Sequence, residues 1–164
     1  MSRLDSFIRR LEAQRACLDL AAARIADLPG PVLELGLGNG RTYDHLRELL
    51  PTREIFVFER EVRAHPADRP DPHHLLLGDF RDTLPNALRR LPGKAALAHA
   101  DIGSGDREVT ARLARWLSDA LPPLLCDGAW VVADQPLPHH SLVSQPLPQE
   151  TIPNRYFLYR HRAE

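Results

Sequence analysis

Val32-Leu33-Glu34-Leu35-Gly36-Leu37-Gly38-Asn39-Gly40-Arg41-Thr42 is the stretch that decides the fold of this 164-residue chain. An apolar run carries an acid, three glycines follow at every second position, and an amphipathic pattern continues to Leu50. That order reads as strand, glycine turn and helix. Glycine permits a sharp turn and lets a ligand approach the main chain closely. A glycine loop feeding a helix N-terminus suits nucleotide-like ligands, because unpaired N–H groups and the helix dipole point at them. The spacing separates the candidates. A dinucleotide fingerprint, Gly-x-Gly-x-x-Gly, counted from Gly36 puts bulky Arg41 where a third glycine allows close helix packing. Counted from Gly38 it fails as well, because Gly40 is followed by Arg41-Thr42-Tyr43. No Gly-Lys-Ser/Thr follows, so a P-loop is excluded. What remains is Glu-x-Gly-x-Gly-x-Gly, with a ligand-free glycine turn as the plain alternative.

The chain alternates helix and strand. Leu4, Phe7, Ile8, Leu11, Leu18, Ala22 and Ile25 share one helical face, which predicts a long opening helix over 2–26, ended by Leu28-Pro29-Gly30. Strands are expected at 31–36, 54–59, 74–77, 95–100 and 128–133. A last strand at 155–161 is expected to be antiparallel, at a sheet edge. Helices are expected at 42–50, at 84–91 and along the Val109, Leu113, Trp116, Leu117, Leu121 stripe, with Ser104 or Asp106 as N-cap. Strands and helices in this order imply an α/β fold, a Rossmann-like three-layer sandwich: a mostly parallel sheet with an antiparallel edge strand and helices on both faces. The length fits one domain over 1–164, comprising an N-terminal helix (1–28), the core and a proline-rich loop (134–150).

In such sheets ligands bind beyond the carboxyl ends of the strands. Those ends carry Glu34 and Gly36, then Glu59, Asp79, Asp101 and Asp134. The pattern resembles the class I S-adenosylmethionine-dependent methyltransferases, from about residue 31 to 130 plus the final strand. The phrases Gly-Arg-Thr-Tyr-Asp-His-Leu-Arg from Gly40 and Ala-Asp-Ile-Gly-Ser-Gly-Asp from Ala100 are similar to small stand-alone bacterial members with unassigned substrates.

The resemblance implies S-adenosylmethionine as cofactor. It places Glu34, Gly36, Leu37, Gly38, Asn39, Gly40, Arg41 and Thr42 around the first turn. Glu59, nineteen positions after Gly40, would take both ribose hydroxyls, with Arg60 beside it. Asp79 would receive the adenine amino group while Phe80 packs on the ring. Asp101 and Ile102 would lie by the methionine part and the transferred methyl. Asp101 is thus the candidate catalytic residue, and His99, two residues back on the same strand face, is a second candidate base.

Missing motifs narrow the acceptor. The fourth strand ends in Asp101-Ile102-Gly103-Ser104, not the Asn/Asp-Pro-Pro-Tyr/Phe of enzymes that methylate amino groups of nucleic acids. No Pro-Cys pair exists for cytosine-carbon chemistry, and little length is spare for flipping a base. A net charge of -1 and a pI near 6.7 give no general pull toward nucleic acid or membranes. A small-molecule acceptor is therefore expected, without nucleic-acid or membrane partners. Asp101 and Asp134-Gln135 resemble the metal ligands of cation-dependent O-methyltransferases, but Gln is longer than Asn and Pro136 restricts the loop, so no metal is assigned. The pairs His73-His74 and His139-His140 lack ligand spacing.

Cys17 and Cys126 read as free thiols of a cytoplasmic protein, Cys126 in packing rather than chemistry. Gln135-Pro136-Leu137-Pro138 and Gln145-Pro146-Leu147-Pro148 make 134–150 a rigid extended connection, expected to wall the acceptor pocket or meet another subunit. With no separate substrate domain, a homo-oligomer is expected, joined through the opening helix and the edge strand. Two alternatives remain at this point: a catalytically silent S-adenosylmethionine or S-adenosylhomocysteine binder, and a nicotinamide-dependent oxidoreductase.

Overall fold

The computed structural model describes residues 2–149 and 151–163. In chain order the elements are α1 (Arg3–Arg24), β1 (Val32–Leu35), α2 (Arg41–Leu49), β2 (Ile55–Glu59), β3 (Leu75–Leu77), α3 (Phe80–Thr83), β4 (Ala95–Ala100), α4 (Arg107–Ala120), β5 (Leu125–Ala133), β6 (Leu142–Ser144) and β7 (Phe157–His161). The strands form one sheet in the order β3-β2-β1-β4-β5-β7-β6, parallel except where β7 pairs with β5 and β6. Strand order reverses at β1, between β2 and β4. That is where an open α/β sheet leaves a crevice beyond its carboxyl edge.

Side-chain alternation divides the core into two layers. Leu33 and Leu35 of β1, with Ala98 and Ala100 of β4, pack on the face covered by α3 and α4. Val32 and Leu97 pack on the opposite face, against Cys17, Leu18 and Ile25 of α1 and Leu46 of α2. Glu34 and His99, direct cross-strand partners, point to the α1 face by the same period.

Helix α1 begins at a capping box, in which Ser2 accepts from the Asp5 amide and Asp5 accepts from the Ser2 amide. Its other end is held by Arg53, whose guanidinium donates to the carbonyls of Leu28 and Gly30 at 2.7 Å and of Ile25 at 3.0 Å. The dipole at a helix C-terminus favours such a cation. Asp106 is the N-cap of α4, accepting from the amides of Glu108 and Val109.

Three expectations need correction. The helix expected at 84–91 is a 3₁₀ turn, Leu84–Arg89, continuing from the short α3. Asp79 caps the Arg81 amide and starts the turn early, and Pro85 is tolerated in the turn's first positions. The final strand is not at the edge, because β6 pairs outside it. β6 comes from inside the proline-rich segment, where 139–145 is free of proline. That segment is also not merely an extended connection, because part of it enters the core. Leu137 and Leu142 are buried, and the Leu137 amide donates to the Tyr159 hydroxyl at 3.0 Å.

Candidate cofactor site

The carboxyl edge of the sheet opens on a cavity of about 660 Å³, within the usual range for a small-molecule site. The glycine turn forms one wall. Gly36 has φ +94°, and a Cβ there would lie 2.6 Å from the Asp101 carbonyl, so β1 and β4 approach where only glycine fits. Gly38 also has a positive φ, +53°, but a Cβ there would meet nothing within 4 Å. Its missing side chain leaves open space over the loop, as a ligand lying against the backbone requires.

Glu59, at the end of β2, holds that turn in place. Its Oε2 accepts from the amides of Leu37 at 2.8 Å and Gly38 at 3.1 Å, and its Oε1 accepts from Arg60 at 2.7 Å. The Glu61 amide lies 3.4 Å from the same Oε1, so all four lone pairs meet backbone donors and a ligand's hydroxyls would share or displace the weaker of these contacts. Asp79 accepts from the Arg81 amide at 2.9 Å and from Arg60 Nη2 at 3.1 Å. The capping bond first, then the two arginines, hold its carboxyl below the usual range and keep it an acceptor. Phe80 stands next to it on the cavity wall.

Helix α1 closes the β4 side. Arg10 Nη2 donates to Asp101 Oδ1 at 2.8 Å and Oδ2 at 3.1 Å, and Gln14 Nε2 donates to Oδ2 at 3.1 Å. Burial lowers the Arg10 pKa, but Asp101 and more distant acids outweigh it, so the guanidinium stays charged. Gln14 also donates to the hydroxyl of fully buried Tyr156, which lies 3.3 Å from His99 Nε2. Burial holds the Tyr156 phenol protonated, far above its ordinary pKa. The His99 Nδ1 lies 2.8 Å from Glu34 Oε2, and Thr42 Oγ1 donates to Glu34 Oε1. A single hydrogen-bonded chain thus joins the first turn of α2 to the cavity wall, through β1, β4 and α1.

Of the residues predicted around the cofactor, Gly36, Leu37, Gly38, Asn39, Arg41 and Thr42 line this cavity, as do Glu59, Arg60, Asp79, Phe80, Asp101 and Ile102. Glu34 and Gly40 do not. Glu34 is fully buried and acts on the turn through Thr42, while a Cβ on Gly40 would meet Asp68 at 2.7 Å. His99 is also fully buried, with both ring nitrogens engaged, and does not reach the cavity. Asp134 turns back on the chain, accepting from the amides of Ile102 at 3.0 Å and Gly103 at 2.8 Å. Among the described residues no group of three His, Cys, Asp or Glu could hold a metal ion. No described residue of the proline-rich segment lines the cavity. Its place is taken by Phe7, Arg10, Leu11 and Gln14 of α1. The sequence signal for these was weak: Arg10 and Gln14 are one helical turn apart, beside the apolar stripe rather than on it.

The order β3-β2-β1-β4-β5-β7-β6 with this glycine turn and its acids defines a class I S-adenosylmethionine-dependent methyltransferase. More narrowly, the chain belongs to the S-adenosyl-L-methionine methyltransferase family, whose sequence model matches residues 1–161. The crystal structure of S-adenosyl-L-methionine methyl transferase from Silicibacter pomeroyi DSS-3 is 48% identical, with a TM-score of 0.92 over 98% of this chain and 99% of that one. Cofactor-bound Rv0187 from MTB shares the fold at 16% identity and TM-score 0.59, over 98% of this chain and 89% of that one. Plantazolicin methyltransferase BpumL in complex with SAH shares it at 14% identity and TM-score 0.51, over 79% and 49%. No curated protein matches the chain. The cofactor is S-adenosylmethionine, and the silent-binder and nicotinamide readings gain no support from these relatives.

Proposed function

We propose that this enzyme methylates a small molecule at the cavity between the glycine turn, Asp101 and α1. The carrying observation is that residues expected from four separate strand ends converge on one cavity of about 660 Å³. When bound, the cofactor supplies a methyl already activated on a sulfonium. The chain has to hold both partners in line and exclude water, which orientation can largely achieve. In this reading Glu59 takes the ribose hydroxyls, with Arg60 beside it. Asp79 and Phe80 hold the adenine. Gly36, Leu37, Gly38, Asn39, Arg41 and Thr42 carry the methionine end, while Glu34 and Gly40 set the shape of the turn. Asp101, with Ile102, faces the reacting end. Its carboxylate already accepts from Arg10 and Gln14, which suits electrostatic contact with a cationic group better than proton abstraction.

The small-molecule acceptor is supported by the size of the cavity and the near-neutral charge. A cytoplasmic setting fits two free cysteines, and no helix among the described residues is long and apolar enough to cross a membrane. One domain and a homo-oligomer complete the reading, joined through α1, where Leu4 and Ile8 are exposed, and the edge strand. Protein incubated with methyl-tritiated S-adenosylmethionine and a cell extract tests the acceptor. Label is expected in the fraction passing a small-pore filter; label only in retained protein or nucleic acid would reject the reading.

A further inference from the structure

Asp101, Ile102, Gly103 and Ser104 line the cofactor cavity, yet they lie in the loop between β4 and α4 and belong to no helix or strand. Such a loop has no ladder of its own, so the aim of its side chains depends on what anchors it. At one end the Asp101 amide donates to the Leu35 carbonyl at 3.2 Å. At the other the Ser104 amide donates to Thr110 Oγ1 at 3.0 Å. The Ile102 and Gly103 amides lie between these anchors. Both donate to one side chain, Asp134: Ile102 to Oδ1 at 3.0 Å and Gly103 to Oδ2 at 2.8 Å.

The sheet register explains how Asp134 comes to be there. Ala100 and Ala133 are cross-strand partners, and each ends its strand. Asp101 and Asp134 therefore leave the sheet side by side, and the Asp134 amide donates back to the Ala100 carbonyl at 3.0 Å. With its backbone tied to β4, Asp134 reaches the two amides that follow Asp101. Gly103 makes the approach possible, since a Cβ there would lie 2.5 Å from Asp134 Oδ2. The charge is held against resistance. Burial pushes the Asp134 carboxyl above its ordinary pKa, the Ile102 amide opposes that shift, and the nearby Asp101 charge adds to it. A neutral side chain would avoid the repulsion, but only a carboxylate offers each of two adjacent amides its own oxygen. Asp134 does not line the cavity, so it acts on a ligand through the loop.

We infer that Asp134 is the positioning residue of the reacting end: it grips the backbone next to Asp101 and so aims the Asp101 carboxylate at the methionine part of the cofactor. The inference rests on the reading above that Asp101 faces that part.

Calorimetry on the full chain, without acceptor, compares S-adenosylmethionine with adenosine, which lacks the methionine part. Asp134→Asn keeps the shape but turns N–H groups toward one of the two amides. It is expected to bind S-adenosylmethionine about tenfold more weakly, as after loss of one charge-assisted contact. Adenosine, held at Glu59, Asp79 and Phe80, is expected to bind as it does to the wild type. A general structural defect would weaken both ligands alike, and that result overturns the inference. Asp101→Asn is expected to show the same selective loss. Adding Asp134→Asn to it is expected to weaken binding little further, because the two act through one carboxylate, and additive losses overturn the inference. Gly103→Ala presses a methyl onto the same Asp134 oxygen without changing any charge. It is expected to reproduce the selective loss, and it carries the test if Asp134→Asn does not fold. Unchanged S-adenosylmethionine affinity in either variant, with Asp101→Asn impaired, overturns the positioning role alone. Unchanged affinity in Asp101→Asn overturns the reading of Asp101 and the inference with it.

Discussion

Exchanging Glu34 for glutamine changes one atom at the most enclosed charged position of the sheet. The carboxylate has no solvent exposure, accepts from Thr42 on one oxygen and lies 2.8 Å from His99 on the other. The amide can still accept from Thr42, but it then presents N–H groups to the imidazole. Breaking one side of a buried pair costs about 3–5 kcal/mol; with the Thr42 contact kept, about 2–4 kcal/mol is expected, or roughly 5–15 °C in Tm for a domain of this size. The pH dependence is more telling. Burial lowers the His99 pKa, but the Glu34 carboxylate outweighs it, with help from Asp101 and Asp134, and the folded-state value lies above the ordinary 6.5. The wild-type contribution is therefore complete below about pH 6.5 and fades as pH rises through the folded-state value. In Glu34→Gln burial dominates, the folded-state value falls below 6.5, and stability is lost as pH falls through that window. Melts between pH 8 and pH 5.5 should show the gap between wild type and variant widening toward acid. A gap independent of pH would refute the argument that Glu34 holds His99 protonated in the folded state.

Other expectations follow from the same geometry. Glu59→Ala releases the Leu37 and Gly38 amides, and S-adenosylhomocysteine affinity by calorimetry should fall roughly 10–100-fold, since hydrogen bonds to charged groups contribute about 1.5–3 kcal/mol each; a change within twofold would count against its role. Gly36→Ala must push a methyl against the Asp101 carbonyl, whereas Gly38→Ala meets open space and carries only the left-handed backbone cost of about 1–2 kcal/mol. The first should melt several degrees below the second, and equal melting temperatures would contradict the close approach of β1 and β4. Arg53→Ala leaves the Leu28 and Gly30 carbonyls without their donor, while Ile25 keeps the Leu28 amide, and should lower stability by about 2–3 kcal/mol, read by urea denaturation.

The glycine turn and the acids at the strand ends were legible because each depends on local chemistry. A left-handed backbone at Gly36 and the carboxylates at the ends of β2 and β4 leave their mark in residue type and spacing. Glu34 was legible as a site residue but not in its role. Only the cross-strand register with His99 shows that it acts beneath the turn rather than beside the ligand. His99 itself shares a strand face with Asp101, yet two residues along a strand separate a sealed interior from an open edge. Tyr156 and Gln14, 142 residues apart, meet only when β7 is placed inside β6, and no local pattern carries that pairing. The proline-rich segment misled for a related reason. Proline density argues against a central strand, and a short edge strand that buries Leu142, with Leu137 buried ahead of it, satisfies the same constraint.

The most direct measurement is a crystal structure with S-adenosylhomocysteine bound. The account predicts adenine at Asp79 and Phe80, the ribose hydroxyls on Glu59, and the sulfur pointing to Asp101 beneath α1. A sulfur directed away from Asp101, or a ligand seated outside the cavity beneath α1, would contradict it.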